Sequence, residues 1–328
     1  MIREAEFRPA WWLPGPHLQT LWPALCRWSP QPSTRRERVE LPDGDFLDLD
    51  WTPGEGSPIV LLLHGLEGSS DSGYARGLLT AVARAGWRGV VMHFRGCSGE
   101  PNRRRQSYNA GGTEDLAYLI GLLRHREPAT PLACVGYSLG GNVLLKWLGE
   151  KGGNALLQAA VAVSVPFLLE AAAQRLSRGF SRLYQAYLLH NLRTSYRRKF
   201  RTQPQPPVPL KDLAKLRDFY TYDDRITAPL HGYAGVADYY ARASCRQYLK
   251  GIQTPTLILH AVNDPFMLPT AVPCEDELSE RVVLELSHYG GHVGFVAGAA
   301  PWCAEYWLEQ RIPAFLAEHL EPLPNAQP

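Results

Sequence analysis

Long apolar runs are missing from this 328-residue sequence; none approaches the roughly 18 residues that a membrane-spanning helix needs. The opening, MIREAEFRPAWW, carries acids and has no apolar stretch followed by a small-residue cleavage site, so no signal peptide is expected. Excess charge is missing as well. Lys and Arg number 34 against 32 Asp and Glu, a formal +2, so the chain as a whole does not read as a nucleic-acid binder. Cysteine is sparse: Cys26, Cys97, Cys134, Cys245, Cys274 and Cys303 are scattered, with no CxxC pair. That argues against a disulfide framework or a zinc site and fits a reducing cytoplasm. There is no P-loop, no G-x-G-x-x-G after a strand and no H-E-x-x-H. Nucleotide, dinucleotide and metal readings therefore lack support, and no cofactor is expected.

What is present is globular: 45% hydrophobic and 20% charged residues, in a length that suits one large domain or two modest ones. Residues 1–38 are rich in Trp and Pro and hold Trp11, Trp12, Trp22 and Trp28, four of nine Trp. They read as an irregular arm packed on the core. RVELPDGDFLDLDW reads as a hairpin around Asp43-Gly44. From Pro58 apolar strands alternate with helices. PIVLLLHG, RGVVMHF, LACVGYS and AAVAVSVP read as strands, and helices are expected from about Tyr74 to Ala85, from Thr113 to Arg124 and over LGGNVLLKWLGE. Such alternation means βαβ units and a mostly parallel sheet. It breaks over residues 166–230, where helical stretches surround the Pro-rich TQPQPPVPL. It resumes with TLILHAVND, VVLELS and a last helix near Trp302 to His319. The division expected is an α/β core over 39–165 and 231–328 with a helical insertion at 166–230.

Gly136-Tyr137-Ser138-Leu139-Gly140 falls between a strand and a helix, which is the setting of a G-x-S-x-G nucleophile elbow. The turn lifts the Ser138 hydroxyl above the sheet at a helix N-terminus, where developing negative charge is favoured. A serine needs a base, and the base needs an orienter. Asp264 follows TLILH by a short loop, and His292 follows VVLELS in SHYGGHVGF, so both fall in the chain order that such an elbow requires. Glu275, Asp276 and Glu277 are nearby alternatives for the acid, but PCEDELSE reads as a solvated helix start. His288 competes with His292; the flanking Gly290 and Gly291 favour His292, whose loop can bend back to Ser138. His288 reads as structural. His64 ends a strand, where it would brace the following loop, and His93, His231 and His260 have no matched partners. Two backbone N–H groups must receive the oxyanion. Leu139 follows the nucleophile, and Leu66 sits in the HGLEG loop.

HGLEGSSDSGY, HFRGCSGEPN, YNAGGTEDL, GYSLGGNVLLKWLGE, TLILHAVNDPF and GGHVGF together resemble the α/β-hydrolase superfamily. PHLQTLWP and ITAPLHGYAGVADYYARAS add a closer similarity to its YheT-like branch, also called the AB hydrolase 4 family. The resemblance implies an α/β-hydrolase fold with a helical cap, Ser138 as nucleophile, Asp264 as acid and His292 as base. It also implies activity on carboxylic esters, lipid esters among them, or acyl transfer to alcohols. The central insertion matches least well.

Residues 171–210 hold eight Lys or Arg and no Asp or Glu. Leu176, Phe180, Leu183, Tyr184 and Tyr187 recur there at helical spacing, with Arg175, Arg178 and Arg182 on another face. A lid with an apolar inner face, a basic helix touching an anionic membrane, and a core-packing helix all fit this pattern. The reading reached is a serine hydrolase that cleaves an acyl or lipid-like ester through an acyl-enzyme. Its rivals are acyl transfer by the same residues and a non-catalytic binding module on the same fold. Oligomeric state is not legible.

Overall fold

The structure, a computed structural model, describes residues 1–27, 32–54 and 58–320. Trp28 and residues 321–328 lie outside the described residues. The strands are β1 (Ile2–Glu4), β2 (Arg35–Glu40), β3 (Phe46–Trp51), β4 (Ile59–Leu63), β5 (Arg88–Met92), β6 (Leu132–Tyr137), β7 (Ala159–Val163), β8 (Thr256–Ala261), β9 (Val282–Ser287), β10 (Val296–Ala297) and β11 (Glu305–Tyr306). The α-helices are α1 (Gly15–Leu25), α2 (Gly73–Arg84), α3 (Glu114–Arg126), α4 (Leu139–Lys151), α5 (Leu169–Leu176), α6 (Ser181–Phe200), α7 (Phe219–Tyr222), α8 (Ala228–Leu230), α9 (Val236–Ala243) and α10 (Leu308–Leu320).

β1 to β9 form one sheet in the order β1-β9-β8-β7-β6-β4-β5-β3-β2. It is parallel from β1 through β5. At the far edge β3 runs antiparallel to β5, and β2 to β3. That last pair is the hairpin expected at Asp43-Gly44.

The apolar run in β4 has a simple cause. Both faces of a central parallel strand are covered, so every position must be apolar. Leu61 and Leu63 pack toward the helices α3 and α4, while Val60 and Leu62 pack toward α2 and α10. The period-2 alternation of the strand thus divides one run between two cores.

The arm is less irregular than its sequence reads. β1 extends the sheet along β9, and α1 follows. Phe7 packs edge-on against Phe295 at 5.3 Å, and Trp12 against Trp22 at 4.7 Å. The last helix starts later than expected, at Leu308. Residues 296–306 instead fold back, pairing Val296 with Tyr306, and that ladder takes the first part of the expected helix. Between β7 and β8 lie α5 to α9. The single amphipathic helix expected from Leu176 to Tyr187 is broken: α5 ends at Leu176, Gly179 adopts φ +54, and α6 starts at Ser181. Among the described residues no helix is long and apolar enough to cross a membrane.

Candidate active site

β6 runs into α4 through Ser138, whose backbone is held at φ 51, ψ −116. A side chain rarely adopts such angles, and the cost is tolerated where the surroundings fix it. Two glycines make the turn possible. A Cβ on Gly136 would lie 2.5 Å from the Gly140 carbonyl oxygen, and one on Gly140 would lie 2.5 Å from that of Leu63. The Ser138 N–H donates to the Val163 carbonyl at 2.8 Å, which ties the elbow to β7.

Loops at the same end of the sheet bring the other two side chains to it. His292 Nε2 lies 3.0 Å from Ser138 Oγ, and His292 Nδ1 lies 2.8 Å from Asp264 Oδ2. Asp264 is fully shielded, and its Oδ1 accepts the Phe266 N–H at 2.8 Å. The carboxylate therefore has one oxygen fixed by the backbone and the other on the imidazole. The acids Glu275, Asp276 and Glu277 form a short 3-10 turn instead, where Glu277 pairs with Arg246. His288 is 75% exposed, its Nε2 3.9 Å from Glu4 Oε1 at the surface.

Three side chains that sequence reasoning missed hold the His292 loop. The Phe266 ring lies flat against the imidazole, 3.9 Å between centroids and 5° from parallel. The His292 N–H donates to Thr20 Oγ1 at 2.9 Å, and the Val293 N–H to Ser164 Oγ at 3.0 Å. Thr20 belongs to α1, and its neighbour Gln19 exchanges two hydrogen bonds with the Val296 backbone. The QT of PHLQTLWP thus clamps the far end of the chain. Nothing short-range in the sequence signals these contacts.

Leu66 and Leu139 line the cavity that holds Ser138. On either side of Leu66, the Gly65 N–H donates to the Tyr74 hydroxyl at 2.8 Å and the Glu67 N–H to the Tyr108 hydroxyl at 2.9 Å. Among the described residues the amides of Leu66 and Leu139 have no protein acceptor. His64 braces this loop as read. Its Nδ1 donates to the Gly65 carbonyl at 2.7 Å, its Nε2 accepts the Phe94 N–H at 3.1 Å, and burial lowers its pKa to about 3. One expectation needs correcting: His93 has a matched partner, its Nε2 lying 2.8 Å from Asp50 Oδ2 across the sheet. His260 is buried and His231 half-buried, and desolvation lowers each pKa to about 4. The Asn109 amide nitrogen donates to His231 Nδ1 at 3.0 Å.

The cavity, of about 770 Å³, lies between this end of the sheet and the helices from α5 to α9, with α1 at one side. That is within the usual range for a small-molecule site. The five apolar residues at helical spacing, Leu176, Phe180, Leu183, Tyr184 and Tyr187, all line it despite the break between α5 and α6. Among the described residues no three His, Cys, Asp or Glu are grouped to hold a metal ion.

Comparison with known proteins agrees with this fold. A model of the alpha/beta hydrolase fold matches residues 58–299. The protein of Escherichia coli (strain K12) named "Putative esterase YheT" is 44% identical over 322 residues, spanning 97% of this chain and 94% of that one. "Phospholipase ABHD3" of Mus musculus is 31% identical over 90% of this chain and 74% of its own length. Among solved structures, the Pyrococcus furiosus esterase Pf2001 superimposes with a TM-score of 0.57 at 16% identity, covering 90% of this chain and 97% of that one. At that identity it speaks for the fold alone. The sheet order and these matches lead to one conclusion: the chain belongs to the alpha/beta hydrolase fold family, in the branch that contains YheT, and is a carboxylic ester hydrolase of the esterase and lipase type.

Proposed function

We propose that Ser138, Asp264 and His292 form a catalytic triad that cleaves an acyl or lipid-like ester through an acyl-enzyme. The observation that carries this is the unbroken chain from Ser138 Oγ to His292 Nε2 (3.0 Å) and from His292 Nδ1 to Asp264 Oδ2 (2.8 Å) on the cavity wall. Ser138 Oγ attacks the carbonyl carbon while His292 Nε2 takes its proton. The N–H groups of Leu66 and Leu139 receive the oxyanion. His292 returns the proton to the leaving alkoxide, and water then repeats the sequence to release the acid. Asp264 holds the imidazole in the tautomer with its proton on Nδ1 and stabilises the charged ring.

The segment 166–230 acts as a lid whose apolar inner side receives the acyl chain. Leu25, Phe180, Leu183 and Tyr187 line the cavity and are also exposed to solvent, so its opening has an apolar rim. With Arg175, Arg178 and Arg182 near by in sequence, this rim suits contact with an anionic lipid surface. A fluorophosphonate probe tests the mechanism. Labelling of wild type that is lost in Ser138→Ala is expected; labelling that survives the substitution would place the nucleophile elsewhere.

A further inference from the structure

One ionisable group on the cavity wall has no part in that mechanism. Asp223 opens a π turn, Asp223–Thr227, between α7 and α8. Pro229 accounts for the turn. Its ring brings no N–H and would clash with the Arg225 carbonyl in a regular helix, so the chain widens one turn earlier and the Ala228 N–H reaches the Asp223 carbonyl. Such widened turns occur frequently at functional sites. Asp223 and Thr227 both line the cavity here, as do Tyr239 and Tyr240 of α9.

The Asp223 carboxylate accepts the Thr227 hydroxyl at 2.6 Å and the Tyr240 hydroxyl at 2.9 Å. Both partners are neutral. Among the described residues no Lys, Arg or His offsets its charge, and burial pushes its pKa up to about 6. Glu67, elsewhere on the wall, is also an acid, and Arg27 is paired with Glu309. A half-buried carboxylate without a counter-ion is costly, and each of its oxygens retains capacity to accept a further donor. Tyr239 and Tyr240, their rings 5.5 Å apart between centroids, line the cavity beside it, and aromatic rings are common partners of cations.

We propose that Asp223, with Tyr239 and Tyr240, forms a subsite for a cationic nitrogen carried by the ester substrate, on either its acyl or its alcohol part. This rests on the preceding reading only in taking the cavity as the substrate site. The motif ITAPLHGYAGVADYYARAS then has a use: its Thr and paired Tyr residues frame the carboxylate.

The test compares esters that differ only in charge, at about pH 7.5, where the carboxylate is ionised and a tertiary amine protonated. On the alcohol side, 2-(dimethylamino)ethyl hexanoate is set against 3-methylbutyl hexanoate. On the acyl side, p-nitrophenyl 6-(dimethylamino)hexanoate is set against p-nitrophenyl 7-methyloctanoate. In wild type one pair is expected to favour the amine in kcat/KM by on the order of tenfold or more. The pair that does so tells which half of the substrate carries the charge. Asp223→Asn should bring that ratio near one, while Tyr240→Phe, which keeps the carboxylate, should retain a preference. Each ratio is internal to one protein, so a general loss of activity cancels. Should Asp223→Asn not fold, Asp223→Ser supplies the uncharged side chain. Ratios near one for both pairs in wild type overturn the proposal, as does a preference that Asp223→Asn leaves unchanged. If Ser138→Ala instead hydrolysed the neutral esters at the wild-type rate, the serine mechanism would fall while the charge ratio still read Asp223.

Discussion

Asp264 divides its two oxygens between the Phe266 amide and the His292 ring, and the imidazole is further fixed by the Phe266 ring against its face. One short loop therefore sets both the tautomer and the plane of the His292 imidazole. Asp264→Asn keeps the shape but favours the wrong tautomer, and the expected loss in kcat on a p-nitrophenyl ester is on the order of 10⁴-fold. A near-normal rate, with Glu275→Gln or Asp276→Asn inactive, would move the acid to the other loop. Thr20 offers a subtler test. Its hydroxyl donates to the Pro16 carbonyl at 2.8 Å while accepting the His292 N–H. Thr20→Val preserves volume and leaves that N–H without an acceptor, at a cost of about 1–3 kcal/mol. The loop should then sample other positions, so kcat is expected to fall roughly tenfold with KM little changed. Unaltered kcat would mean that Ser164 and Phe266 hold the loop without help. At this scale the sequence was legible where chemistry leaves a local signature. Ser138 sits in a pentapeptide between strand and helix, and Asp264 and His292 fall in the expected chain order, so three side chains that the fold brings into contact could be named beforehand. Thr20 and Ser164 carry no signature, because their partners lie 272 and 129 residues away. Asp50 was missed as the partner of His93 for the same reason: sheet pairing, not sequence spacing, brings them together.

At the scale of elements, α6 is the least legible part. Its helical spacing did not show how the charges of its last turns are held: Lys199 is buried, Arg193 is half-buried and Arg198 stays exposed, yet each donates to a neighbouring segment. Arg198 donates to the Gly96 carbonyl at 2.9 Å, Arg193 to the Leu216 carbonyl, and Lys199 Nζ to Asn102 Oδ1 at 2.6 Å and the Gln106 carbonyl at 2.9 Å. Cationic residues near a helix C-terminus look alike in sequence whether water or a neighbouring loop receives them. Burial lowers the Lys199 pKa from 10.5 to about 7. Between these values the unfolded chain holds a proton that the folded chain has released, so stability should rise as pH increases from about 7 toward 10.5. The contribution is at most about 1.4 kcal/mol per pH unit. Urea denaturation at three pH values in this window should show a steeper rise for wild type than for Lys199→Met. Equal slopes would mean that Lys199 stays charged in the fold. Strands were more legible than helices, because a covered parallel strand must be apolar throughout. The late start of α10 was not, since the short ladder between β10 and β11 depends on residues that pair only in the folded chain.

For the molecule as a whole, the sheet provides the rigid floor and the helices between β7 and β8 the opposite wall of a cavity of about 770 Å³. If that wall receives the acyl chain, each further buried methylene contributes about 0.8 kcal/mol, or about fourfold in kcat/KM. A series of p-nitrophenyl esters of increasing length should climb by roughly that factor per carbon and then level off as the cavity fills. Leu183→Asp, at a position both exposed and on the cavity wall, should flatten the climb. A series that is flat in wild type would take the chain out of this cavity. The parallel pairing of β1 with β9 has a consequence in time. Ile2 sits beside Leu284, and Gln19 and Thr20 grip residues 292 and 296. During synthesis at about 5–20 residues per second, β1 leaves the ribosome roughly 15–60 s before β9 exists to receive it. For that interval the arm has no native partner at the sheet edge. Under the proposed mechanism, a nascent chain halted short of His292 would carry the serine and its elbow without the base, so hydrolysis would begin only after His292 has been made.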